Sequence, residues 1–349
     1  MSIQKAEFAN YNGEKVYAYT LCNANGLSAE ILNYGGIVKN LWVPDKKGKC
    51  IDVALGFDTF EDYLDNDGYY GALVGRCANR IEKGMFSIKG TEYQASINDG
   101  ENSLHGGVGG FHRHLWEADM LDGDSPSLVL RTVSPDGEDG FPGKLDVTVT
   151  YTLKENGLAI RYEAISDKDT VANLTNHSYF NLNGAGVRDI KNMDLQMNCA
   201  YYTPVTKECV TTGEILSVKD TAFDFTKKRN IGEAMAEKHP QTQPFNGFDH
   251  NFVIDGRGFR KAAELSSKET GISMEIFTDM PGIQLYTGNS ITEGRRYKDN
   301  RFYKVHDGLC METQFFPNAV NFAHFPSPIL RAGEKYESVT EYRFMARNE

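Results

Sequence analysis

The chain has 349 residues, a formal net charge of −11 and 24% charged residues, with an isoelectric point near 5.3. That balance excludes the basic stripe of a nucleic-acid-binding surface, and Lys46-Lys47 and Lys227-Lys228-Arg229 read as solvated turns. No run approaches the ~18 apolar residues of a membrane span and Met1-Ser-Ile-Gln-Lys lacks an apolar leader, so a cytoplasmic location with no membrane partner is expected.

Strand patterns dominate from the start, with runs predicted over 16–21, 29–33 and 37–43, then a short helical turn over 59–64. A paired run over 85–96 breaks at Lys89-Gly90, and another strand follows over 128–133. The strongest signal is Leu145, Val147, Val149, Tyr151 and Leu153 alternating with polar residues. It turns through Glu155-Asn156-Gly157 and returns along Leu158, Ile160, Tyr162 and Ala164. One helical pattern covers 231–238, and strands follow over 272–278, 283–289 and 339–344. Many short strands with 34 glycines for turns predict an all-β protein, a large antiparallel β-sandwich. No linker or repeat interrupts it, so a single domain over 1–349 is expected, with function in the loops 98–114 and 203–213.

Three runs carry polar groups suited to proton transfer: Asn-Ser-Leu-His105-Gly-Gly, Leu-Thr-Asn-His177-Ser-Tyr-Phe-Asn-Leu and Cys-Met-Glu312-Thr-Gln-Phe-Phe. In a strand, side chains alternate between faces. Asn173, Thr175, His177, Tyr179 and Asn181 would then form one polar wall, and Cys310, Glu312, Gln314 and Phe316 another. A glutamate among Leu, Cys, Met and Phe is costly to bury unless paired or used, which makes Glu312 the general-base candidate. His239, His250, His306 and His324 read as structural hydrogen-bonders.

Other motifs fail on their chemistry. His105-Gly-Gly-Val-Gly-Gly110 lacks the Gly-Lys-Ser/Thr ending of a phosphate loop. His112-Arg-His114 and Asp65-Asn-Asp67-Gly are incomplete as metal sites, and no metal is expected. Six cysteines without Cys-x-x-Cys spacing read as free thiols. No Gly-x-Ser-x-Gly elbow is present.

Taken in order, Leu32-Asn-Tyr-Gly-Gly, Gly75-Arg-Cys-Ala-Asn-Arg-Ile81, Asn102-Ser-Leu-His-Gly-Gly107, Asn176-His-Ser-Tyr-Phe-Asn-Leu182, Phe248-Asp-His250, Pro281-Gly-Ile-Gln-Leu-Tyr-Thr-Gly-Asn289 and Glu312-Thr-Gln give a chain that resembles the aldose 1-epimerase (galactose mutarotase) family nearly end to end. The resemblance implies that family's supersandwich of antiparallel sheets with a sugar cleft on one face. By position it implies Glu312 as base, His177 as acid and His105 beside the sugar ring, with Asn79, Arg80, Asp249, Gln284 and Tyr179 on its hydroxyls. It departs at Asn321-Phe-Ala-His324, where many relatives have His-Pro after the Asn, and at Cys77, where an aromatic is common. The implied activity is interconversion of the α and β anomers of free aldohexoses. It needs no cofactor and takes a monosaccharide as its partner, and a monomer or weak homodimer is expected. A glycoside hydrolase using Asp249 with Glu312 and a non-catalytic carbohydrate-binding protein are the rival readings. A hexose-phosphate epimerase would call for further basic residues at its cleft.

Overall fold

The computed structural model describes residues 2–346. Two large sheets set the architecture. The first has nine strands, in the order Glu117–Leu121, Ser127–Ser134, Leu145–Leu153, Gly157–Ser166, Lys335–Ala346, Ile272–Thr278, Arg260–Ser266, Asp194–Met197 and Arg229–Asn230. The second has six, in the order Tyr179–Phe180, Leu309–Gln314, Gly282–Tyr286, Asp249–Val253, Tyr201–Thr203 and Leu216–Ser217. Every pairing in both is antiparallel. A five-stranded antiparallel sheet begins the chain, from Gln4–Tyr11 to Cys50–Asp52.

The Asn-Gly hairpin forms as its alternation requires, with Leu153 opposite Leu158 and the odd-numbered residues of Leu145–Leu153 all buried. Those side chains enter one core with Leu309, Met311, Ile283 and Leu285 of the six-stranded sheet. The sheets also touch through polar groups, as Tyr342 Oη donates to the Met311 carbonyl at 3.5 Å and the Thr313 and Thr340 hydroxyls bond each other. Leu309–Gln314 is therefore buried on both faces: its odd positions meet the core, while Cys310 and Glu312 face the opposite side. The short helix forms over Phe60–Leu64, capped by Thr59. The predicted run at 231 forms a helix over Ile231–Ala236. The predicted strand 283–289 stops at Tyr286, where Thr287 Oγ1 and Asn289 Nδ2 turn onto the Phe248 carbonyl.

The run 173–182 is not one strand. Thr175–Asn176 pairs with Leu73–Val74, and Tyr179–Phe180 pairs with Leu309 and Cys310 in the six-stranded sheet. Strict alternation fails across the break, and the expected polar wall divides. Asn173 bonds the Phe315 backbone and Asn181 the carbonyls of Arg188 and Asp307, leaving His177 and Tyr179 to line the cavity. Phe316 keeps the expected side of the strand, next to Gly282, but is not among the residues that line the cavity. It lies beyond the strand end and packs with Ala319 and Phe325.

Candidate active site

A cavity of about 280 Å³ opens beside the six-stranded sheet, close to the lower bound of ~300 Å³ typical of small-molecule sites. Glu312 reaches it from Leu309–Gln314, the second strand of that sheet, next to Gln284 in register. His177 reaches it from the break between short strands, held by its own N–H on the Ala72 carbonyl at 2.9 Å and by the Gly71 N–H on its carbonyl at 3.0 Å. The His177 Nε2 and Glu312 Oε1 atoms are 3.7 Å apart. Glu312 is 2% exposed, and its second oxygen, Oε2, has no hydrogen-bond partner among the described residues. An unpartnered buried carboxylate oxygen is the kind of group that a substrate hydroxyl satisfies.

Electrostatics separate the two in opposite senses. Burial, then the nearby Asp249 carboxylate, pushes Glu312 well above its ordinary pKa, with Arg80 opposing. Burial lowers His177 to about 4. Both shifts favour the uncharged forms.

His105 follows the Ser103–Leu104 strand with a left-handed φ of 53°, and Asn79 has φ 61°. These two residues lock each other. The His105 N–H donates to the Asn79 carbonyl at 3.1 Å, and the Asn79 N–H donates to His105 Nδ1 at 3.2 Å. Because a backbone N–H can only donate, Nδ1 is an acceptor and the neutral ring carries its proton on Nε2. Burial, followed by His177, Arg80 and His112, holds the His105 pKa well below the ordinary value, so the ring stays neutral. Gly106 makes the turn possible, since its φ is +90° and an added Cβ would lie 2.0 Å from the Gly75 carbonyl oxygen.

The opposite wall is polar. Arg80 Nε donates to Asp99 Oδ2 at 2.7 Å, and Arg80 Nη1 lies 3.8 Å from Asp249 Oδ2. Asp249 also accepts from Gln284 Nε2 at 2.7 Å and from the Cys209 thiol at 3.3 Å. Gln284 is buried behind Asp249, where it orients that carboxylate. His112, part of the motif set aside as a metal site, packs edge-on against Tyr69, 4.7 Å between ring centroids.

Several lining residues had no clear sequence signal. Tyr69 packs edge-on against His105 at 4.7 Å and tilts over His177 at 5.9 Å. Tyr286, Ser290, Thr292, Asp67 and Asp99 complete the rim. Asp99 fell within the loop expected to carry function, but nothing marked it individually. Among the described residues, one group has metal-ligand spacing: His105, His177 and Glu312 bring one ligand atom each within 4.8 Å of one another. The four other histidines expected to be structural do make hydrogen bonds, His239 to Gln241, His250 to Gln241 and Asp249, His306 to Thr287 and Asn246, and His324 to Gly213.

A buried carboxylate, two buried imidazoles and an Arg80–Asp249 pair thus converge on one small cavity. The family model for aldose 1-epimerase matches residues 17–343. A galactose mutarotase of Bos taurus is 43% identical over 319 residues, 91% of each chain. An aldose 1-epimerase of Escherichia coli (strain K12) is 32% identical over 340 residues, 96% of this chain and 97% of its own. The crystal structure of a galactose 1-epimerase from Lactobacillus acidophilus superposes with a TM-score of 0.88 at 30% identity, covering 99% of both chains. The chain belongs to the aldose 1-epimerase family, enzymes that interconvert the anomers of sugars.

Proposed function

We propose that the cavity binds a free aldohexose such as galactose or glucose in its ring form, and that Glu312 and His177 open and reclose that ring. The observation that carries this reading is the 3.7 Å approach of a buried carboxylate and a buried imidazole at the cavity. The Glu312 carboxylate takes the proton of the anomeric hydroxyl, C1=O1 forms, and the C1–O5 bond breaks with its electron pair going to O5. O5 takes the proton from His177 Nε2. The pair enters as carboxylate and imidazolium and leaves as carboxylic acid and neutral imidazole, the state toward which burial shifts both groups. Rotation about C1–C2 and the reverse transfers then close the ring on the other face. The pair carries one proton in total throughout, so no resetting step is needed.

His105 Nε2–H, Arg80, Asn79 and Asp249 hold the hydroxyls, with Gln284 orienting Asp249, and Tyr69 or Tyr179 faces the sugar. Asp249 is already an acceptor from Gln284 and Cys209 beside Arg80, which suits hydroxyl binding better than the acid role a glycoside hydrolase would require. The reaction moves protons and no net electrons, so the reading includes no cofactor. It extends to a single-domain cytoplasmic protein acting as a monomer or weak homodimer.

The test is polarimetry of α-galactose relaxation with Glu312→Gln and His177→Asn, each checked for folding. Loss of about 10²–10⁴ in rate for each is expected. Near wild-type rates in either would remove the assignment.

A further inference from the structure

Arg80 stands between two carboxylates. Its Nε donates to Asp99 Oδ2 at 2.7 Å, whereas its Nη1 stops 3.8 Å from Asp249 Oδ2, beyond hydrogen-bond length. We propose that Asp99 is a positioning residue: by holding Arg80 at Nε, it keeps the guanidinium off Asp249 and leaves both Nη groups to bind sugar hydroxyls. The inference rests on the hydroxyl-binding role given to Arg80 and Asp249 above.

The local sequence brings Asp99 to this place. Arg80 pairs with Leu104 across two short strands, and the chain ahead of Leu104 turns through 98–102. The N–H groups of Asn98 and Asp99 both donate to the Asn102 carbonyl at 3.1 Å, and the Asn102 N–H returns to the Asp99 carbonyl at 2.9 Å. The Asn98 side chain closes the turn, accepting from the Leu104 N–H at 2.7 Å and donating to the Leu104 carbonyl at 3.0 Å. Asp99 is thereby fixed beside the arginine that Leu104 pairs with.

The direction of the pull follows from charge. A guanidinium only donates and an ionised carboxylate only accepts, so both acids attract Arg80. The Arg80 and Asp249 side chains are 15% and 19% exposed, and their attraction is only partly screened. Without Asp99, a shift of about 1 Å brings Nη1 to the length of a charge-assisted bond with Asp249. That direct pair would occupy a donor and an acceptor that both line the cavity. Asp99 prevents it from the rim.

The experiment joins arginine Nε–H NMR of the sugar-free protein with galactose kinetics, the Arg80 signal being assigned by its loss in Arg80→Met. Wild type should show the Arg80 Nε–H protected from exchange with water, and Asp99→Ala should abolish that protection. KM should rise about 10-fold in Asp99→Ala with kcat nearly unchanged, the lower end for a charge-assisted hydrogen bond partly open to solvent. Asp99→Asn, which keeps a neutral acceptor in the same turn, should fall between. In an Arg80→Met background, Asp99→Ala should change KM no further, whereas a general effect on the fold or on the cavity's charge would still add. An unprotected Nε–H in wild type, an unchanged KM in Asp99→Ala, or losses that multiply in the double variant overturn the proposal. Exchange is read without substrate, so a wild-type protein that leaves galactose at its spontaneous rate removes the functional reading, and Nε–H protection then decides whether Asp99 holds Arg80.

Discussion

Gln284 Nε2 donates to Asp249 Oδ1 at 2.7 Å from a fully buried position, so a neutral amide holds in place a carboxylate that faces the cavity. Gln284→Leu leaves that oxygen without its donor. An unsatisfied polar group of this kind costs about 1–3 kcal/mol, and KM for galactose should rise about 10-fold with a smaller change in kcat. Steady-state kinetics on the folded variant check this, and a fall in kcat at constant KM would contradict it.

Gly106 is needed for backbone shape and not for chemistry. Gly106→Ala places a Cβ against the Gly75 carbonyl at a φ of +90°, which should destabilise the protein by roughly 1–3 kcal/mol and displace His105. Chemical denaturation and kinetics should both register the change. By contrast, Gly13→Ala has a similar φ of +87° but open space around its Cβ, so it should cost only the backbone strain, about 1–2 kcal/mol, and leave activity unchanged.

Buried neutral histidines make the fold acid-sensitive. Burial lowers His112 and His250 to about 3 and His177 to about 4. Above pH 6.5 these rings are neutral folded or unfolded, and their contribution to stability is fully present. As pH falls below 6.5 the unfolded chain binds protons that the folded protein refuses, so stability is lost progressively toward pH 4. Each such ring adds a slope of up to about 1.4 kcal/mol per pH unit. Urea melts at pH 7 and pH 5 should show the loss, and equal stability at both values would contradict it.

Much of the fold was legible in the sequence. Leu145–Leu153 and its return strand were readable because one face is core and the other is not, so alternation survives. Glu312 was readable because an acid in an apolar strand needs a reason to be there. The division of 173–182 was not readable. Adjacent dipeptides there pair with different strands, and strand choice depends on partners far along the chain. Tyr69 and Asp99 sit in loops that the sheets bring together, and no local period marks such residues. Gln284 was placed by resemblance at the sugar, whereas its geometry puts it one layer behind, on Asp249.

The ligand atoms of His105, His177 and Glu312 lie within 4.8 Å of one another, and nitrogen and oxygen donors of this kind suit Zn²⁺. Added Zn²⁺ should therefore inhibit, competitively with sugar, while EDTA should leave the rate of the purified enzyme unchanged. Activity lost on EDTA treatment and recovered with a metal would replace the acid/base account with a metal-dependent one.

The central claim is that Glu312 and His177 act as one proton-sharing unit, and a double-mutant cycle measures that directly. Residues that act as a unit give non-additive losses. Polarimetric rates for Glu312→Gln, His177→Asn and the double variant should show the double about as slow as the slower single. Losses that multiply in the double variant would mean that the two groups work independently, contrary to this mechanism.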